Sequence, residues 1–512
     1  MTLSCGFGII EASKERGDSH VECLIRLKKR PKFIDAIEKF QLSWAYPVIF
    51  AVLCTISGVG NKYVYLPVIS VLAILVLFSV LFVRDKMVVF APTIMIYFSM
   101  GIDRHGAFAE TRGEVASSFD TDGLVGICIL GVIVVAPFLL RIILDGSVAR
   151  VFKEKNPLSY GIIFLNVAAL LGGLFSEHWT PQSFLYGIFV VAGLDLFFII
   201  LSSVIKDSKL LTASYACRAL VITCLMICAQ IFILALYLHA NGMLIRVDEW
   251  TGRWILLREN LAMSWGISTV IGATAVLGIP AAMYLAKNER FPIIYCVSAL
   301  IMLGTSVLVN ARSAMLVGAF FLLFGIITVS FSGKNKRCNL IFSAILLFSA
   351  SCAAAFALWY FTRSASVEEV WISMSKFMRF DSVNDRLSLF RVGLRDFASS
   401  PILGVGWSKG GNSIDKHAGN FYSNMYHCIV IQMAASTGIV GMAAMITHVK
   451  DLVLMVFKRF SIDRLFLISV PLMILSTSLV DNFFFYLNFQ IIYVAFLLVA
   501  QMHFNSTKNK TV

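Results

Sequence analysis

Runs of about 18 or more apolar residues recur from one end of the chain to the other, and they leave few folds open. Each is long enough to span a bilayer as a helix. In lipid only helices and closed barrels satisfy every backbone polar group, and the strand-length alternation of a barrel is missing here. Composition agrees: 58% of the 512 residues are hydrophobic and 14% are charged, against roughly half and a quarter in a soluble domain. The expected fold is an all-α polytopic membrane protein.

Fourteen candidate spans lie over 44–60, 63–83, 87–102, 123–144, 158–175, 183–205, 219–238, 263–286, 291–309, 313–333, 339–361, 427–449, 465–481 and 485–503. The third is short and the last two are nearly contiguous, so the expectation is 12–14 transmembrane helices. They divide the chain into a basic arm (1–43), helices one to eleven (44–361), a long outer loop (362–426), C-terminal helices (427–503) and a short tail (504–512). The arm is charged throughout and lacks an apolar core, so no cleavable signal peptide is expected.

The net charge of +13 reads first as topology rather than as a nucleic-acid surface. With the N-terminus inside, alternating spans put Lys28, Lys29, Arg30, Lys32, Arg150, Lys153, Lys287, Arg290, Lys334, Lys336, Arg337, Lys458 and Arg459 on the inner side. The short outer loops are then poor in Lys and Arg. Both termini are expected in the cytoplasm. The cluster LIRLKKRPK in the arm admits two readings, a solvated tail obeying the topology rule or a segment resting on anionic lipid. Most of the eleven cysteines sit inside apolar runs without paired spacing, as packing residues do.

Polar chemistry gathers in the stretch 385–441. Asn384 or Asp385 can cap a helix ending before Pro401. In it Leu387, Phe390, Leu394 and Phe397 form one apolar stripe at helical spacing, flanked by Arg386 on one side and by Arg391 and Arg395 on the other. The turn Pro-Ile-Leu-Gly-Val-Gly-Trp follows, where Gly404 and Gly406 permit a tight bend or close approach to a ligand. His427 stands where the chain re-enters the membrane. It can act as a base on a hydroxyl, or it can merely cap the next helix. Arg312, at the outer mouth of a span, can snorkel to the interface or pair with an anion inside a cavity, and its fork matches a phosphate. Arg253 and Asn260 carry the same ambiguity. No Asp-x-Asp pair or His cluster marks a metal site on this face, so no cofactor is expected. Taken together, arginines and a histidine at one membrane face suit an anionic lipid-borne substrate with its acyl chain in the bilayer.

These residues resemble the signature region of the bacterial O-antigen ligase and polymerase superfamily. Arg386, Pro401, Gly404, Gly406, His427, Gln432, Gly438 and Gly441 match its pattern in order and spacing, and Arg312 in ARSA matches an earlier arginine motif. Arg253 and Asn260 match an arginine and an asparagine before a long span. The resemblance covers roughly 250–445. Cys428, Ser436 and Ala311 stand where the family usually has asparagine, an acid and serine. The resemblance implies inverting, metal-independent glycosyl transfer from undecaprenyl pyrophosphate at the periplasmic face of the bacterial inner membrane. It implies His427 as the base on the acceptor hydroxyl, and Arg312, Arg386 and, less directly, Arg253 on the pyrophosphate. Other polysaccharide-assembly proteins are implied partners. Acceptors in the superfamily include a further lipid-linked repeat unit (a polymerase of O-antigen or exopolysaccharide), lipid A-core (a ligase) and protein. Family breadth points first to a polymerase. The rival class is a transporter of lipid-linked glycan, which needs polar residues at mid-bilayer depth. Asn166, Asp195 and Gln230 are the main such residues.

Overall fold

The computed structural model describes residues 32–59, 157–177, 213–247, 254–257, 260–332, 380–407 and 426–508, with a few interior exceptions, and scattered positions in 68–98, 178–202 and 333–355. The elements are α1 (Lys32–Gln41), α2 (Ala45–Val59), α3 (Phe90–Tyr97), α4 (Pro157–Leu171), α5 (Ala213–Ala240), β1 (Ile245–Val247), β2 (Trp254–Leu256), α6 (Ser268–Val276), α7 (Gly278–Asn288), α8 (Pro292–Leu308), α9 (Arg312–Ser332), α10 (Phe380–Ser399), α11 (Ile429–Phe457), α12 (Ile462–Ser478) and α13 (Leu487–Lys508). Helix dominates, as the apolar runs require. The exception is the small antiparallel hairpin β1–β2, in which Ile245 faces Leu256.

Among the described residues, four helical stretches are long and apolar enough to cross a membrane: Ala213–Ala240, Ser268–Asn288, Arg312–Ser332 and Ile429–Phe457. Tyr160–Leu171, Pro292–Leu308 and Asn488–Met502 are shorter apolar helices. This is a polytopic membrane protein. The expected spans 63–83, 123–144, 183–205 and 339–361 lie wholly or partly outside the described residues, so the full count of 12–14 does too. So do most of the long loop, the first 31 residues and Asp195.

Two polar contacts define one side of the bundle. Lys287, ending α7, pairs with Asp463, opening α12, at 2.7 Å, and Asn288 reaches the same carboxylate at 3.0 Å. Arg218, near the start of α5, pairs with Glu289 and lies over the Trp44 ring at 4.1 Å. From this side α8 and α12 both run 17 residues, about 25 Å at the helical rise. Their far ends, and the start of α9, therefore share the opposite side. The core between the two sides is apolar and closely packed. Met302 of α8, Cys224 of α5 and Gly278 of α7 meet there, with no room for a side chain on the glycine. Gln230, a candidate polar group for a transport path, is instead a cross-link. It receives a hydrogen bond from the Trp265 indole at 3.2 Å and donates to the carbonyls of Cys54 and Phe98.

Candidate active site

The far side is built around a break in α11. This helix carries a non-helical residue, Gly438, with φ 63° and ψ −156°. A break in a membrane helix frees backbone groups that lipid cannot satisfy. Here the 401–407 turn satisfies them. Val405 and Gly406 donate their N–H groups to the carbonyls of Ala435 and Ser436, at 2.8 and 3.1 Å. Ile439 and Val440 donate to the carbonyls of Pro401 and Ile402, at 2.8 and 3.3 Å. The turn thus replaces the missing helical rungs on both sides of the break. Glycine is needed in both strands of this contact. A Cβ on Gly404 would lie 2.4 Å from the Thr437 nitrogen, and one on Gly438 would lie 2.3 Å from the Ile402 oxygen. Gly404 and Gly406 both have positive φ, 71° and 91°. Trp407 closes the turn, buried, donating its indole N–H to the Ala169 carbonyl at 3.0 Å and meeting the Phe485 ring edge-on at 5.3 Å.

His427 lies just before α11, with φ 52°. A left-handed backbone costs a non-glycine residue about 1–2 kcal/mol, so the surroundings must hold it. Its Nδ1 lies 3.0 Å from Oδ1 of Asp481. That carboxylate is 12% exposed while the imidazole is 44% exposed, so the ring is fixed on one edge and accessible on the other. The backbone N–H of Asn482 also donates to Asp481 Oδ1, at 2.9 Å. Behind the pair lies a buried amide network. The Gln432 carbonyl oxygen accepts from the Tyr426 N–H at 3.0 Å and from the Asn482 amide at 2.9 Å, while the Gln432 amide donates to Ser436 at 2.8 Å. The Tyr426 hydroxyl donates to Asp396 of α10 at 2.6 Å. Burial, with that carboxylate beside it, holds the Tyr426 phenol well above its ordinary range, so it stays a donor.

Arg312 and Arg386 sit around the same side. Arg312 opens α9 directly after the turn at Asn310 (φ 51°), which is bound back into α8 through Ala311 N–H to the Ser306 carbonyl at 3.0 Å. It is partly buried. Arg386 lies on α10, which begins at Phe380, about a turn before the expected cap at Asn384 or Asp385. Arg386 is partly buried, while Arg391 and Arg395 are exposed. Arg253 lies outside the described residues; Asn260 donates its amide to the Met243 carbonyl at 2.8 Å, binding the hairpin's two flanks. The structure adds a residue that spacing did not single out, Asp481. It lies 54 positions from His427, and its signal in the sequence was only an acid at a span end.

Comparison with known families bears on this face. The model described as O-antigen ligase matches residues 297–446. This segment, under a third of the chain, is similar to the O-antigen ligase family. It runs from within α8 to within α11, so it holds Arg312, Arg386, the 401–407 turn and His427. The match supports the O-antigen ligase and polymerase superfamily and suggests glycan transfer of that type, and with the apolar helices it points to a bacterial membrane protein. At a stringent threshold the chain matches no curated protein and no solved structure.

Proposed function

We propose that this protein is an inverting, metal-independent glycosyltransferase. It moves a glycan from an undecaprenyl-pyrophosphate donor to an acceptor on the periplasmic face of the inner membrane, as a polymerase of O-antigen or exopolysaccharide repeat units. The observation that carries the reading is the His427–Asp481 pair, set on the same side of the bundle as Arg312, with His427 inside the matched segment and Asp481 brought to it from beyond that segment. In the reading His427 takes the acceptor hydroxyl proton on its exposed edge, and Asp481 orients the ring and stabilises its cation. Arg312 and Arg386 hold the pyrophosphate and offset the charge that grows on it as it leaves; Arg253 serves the same end. Gly404 and Gly406 hold the turn that carries the base's helix.

Orientation follows from charge. The side marked by Lys287 and Arg218 has short basic loops, with Arg290 after α7 and Lys458 and Arg459 before α12. Such loops favour the cytoplasm, which supports the proposal that both termini lie there and the His427 side in the periplasm. The domain organisation proposed from sequence follows: arm at 1–43, helices over 44–361, periplasmic loop over 362–426, helices over 427–503 and tail over 504–512.

The test uses purified protein in nanodiscs with an authentic undecaprenyl-pyrophosphate repeat unit, alone and then with lipid A-core. A product ladder from the donor alone supports polymerisation. Product formed only with lipid A-core makes the protein a ligase. His427→Ala should lose at least about a hundredfold in rate while keeping its fold. Full activity in that variant sinks the role of the base.

A further inference from the structure

We propose that Tyr426 is a positioning residue: latched to α10 through Asp396, it holds His427 in its left-handed turn and ties the base to the helix that carries Arg386. The inference rests on the reading of His427 as the base.

Tyr426 is wholly buried, although the residue after it is half-exposed. Its hydroxyl reaches a carboxylate that is itself only 7% exposed. A tyrosine serving packing alone does not require a buried acid, and burying one is costly unless it is paired. The backbone of the same residue is held from another direction, by the Gln432 side chain. Tyr426 is therefore gripped at its hydroxyl by α10 and at its N–H by α11. His427 follows immediately, with its strained φ.

The latch also sets a helix-to-helix distance. Gly393 of α10 lies against Tyr426 and Ile431, and a Cβ there would stand 2.4 Å from the Ile431 methyl and 3.0 Å from the Tyr426 ring. Arg386 is seven residues earlier, close to two helical turns, so it lies on the same face of α10 as Gly393, about 10 Å along the axis. The face of α10 that meets Tyr426 is thus the face that carries Arg386. Cutting the hydroxyl contact frees the base to move relative to that arginine without removing either group.

The experiment compares Tyr426→Phe, Asp396→Ala and Asp396→Asn with the unmodified protein in nanodiscs. Three quantities are read: transfer from the authentic lipid-linked repeat unit, apparent melting temperature, and the rate at which diethyl pyrocarbonate modifies His427, followed by peptide mass spectrometry. Tyr426→Phe should lower kcat by about tenfold to a hundredfold, the loss typical of a misplaced catalytic group. The donor KM should stay near its starting value, and the melting temperature should fall by no more than the few degrees expected for one buried acceptor that loses its donor. His427 should be modified severalfold faster, since its ring is no longer held on Asp481. Asp396→Ala should behave alike, and Asp396→Asn, which keeps an acceptor for the phenol, should lose less. Unchanged kcat and an unchanged modification rate in Tyr426→Phe overturn the proposal, as does a loss of activity that tracks a fall in melting temperature. If the unmodified protein transfers nothing, either to a second repeat unit or to added lipid A-core, the reading of His427 as a base falls. The modification rate then decides the latch alone: a raised rate sustains it and an unchanged rate overturns it.

Discussion

Gly438→Ala is the sharpest probe of the broken helix. At φ 63° and ψ −156° the backbone occupies a region open almost only to glycine, and a side chain there costs about 1–3 kcal/mol. The new methyl would also stand 2.3 Å from the Ile402 oxygen and 2.7 Å from the Gly404 nitrogen. Both are backbone atoms, so no rotamer change relieves the clash and the 401–407 turn must retreat. Four backbone hydrogen bonds join that turn to α11, each with a net value of about 1 kcal/mol. Losing half of them and adding the strain gives about 3–5 kcal/mol. At about 2 °C per kcal/mol for a chain of this size, the apparent melting temperature should fall by about 6–10 °C. The chain carries its own reporter: Cys54, Cys217, Cys224, Cys228, Cys296 and Cys428 are buried, and Cys352 is exposed. A thiol-reactive fluorogenic dye therefore reads unfolding of detergent-purified protein, compared at one scan rate because such unfolding is irreversible. Gly304→Ala is the control, since a Cβ there meets nothing within 4 Å and alanine favours helix; it should melt no lower than the starting protein. If Gly438→Ala melts within 2 °C of that protein, the turn does not brace the break.

Two further outcomes follow from the same geometry. Asp481→Asn should keep the fold and lower kcat by about tenfold to a thousandfold, because an amide can hold the imidazole but cannot stabilise its cation; transfer assays with the lipid-linked repeat unit check this. Trp407→Phe removes the indole donor to Ala169 and leaves a buried carbonyl unsatisfied, a cost of about 1–3 kcal/mol, seen as a melting temperature a few degrees lower.

Much of this face is legible before folding, and the reason differs by residue. Gly404, Gly406 and Gly438 stand out because local backbone geometry demands glycine, and such demands leave a mark at fixed positions. What they do together is not legible, since the turn and the break meet only after the intervening stretch has looped back. The same holds for Asp481: a single acid at a span end has no periodic signature, and only the antiparallel return of α12 brings it to His427. Gln432 was visible as a motif residue, but its work in joining Tyr426 to Asn482 is a matter of packing. The hairpin β1–β2 went unforeseen because three-residue strands are too short for an alternation to show. Helix ends were approximate where capping was ambiguous: Asp381, Ser382, Asn384 and Asp385 all suit a first turn by residue type, and α10 begins ahead of them all, at Phe380.

Trp407 and Tyr426 are two fastened posts of the fold. Trp407 is fastened to Ala169 and Phe485, and Tyr426 to Asp396 and Gln432. The two posts share none of these partners, so the face is stapled twice, once to α4 and the Phe485 ring and once to α10 and α11. Loosening one staple leaves the other's contacts in place.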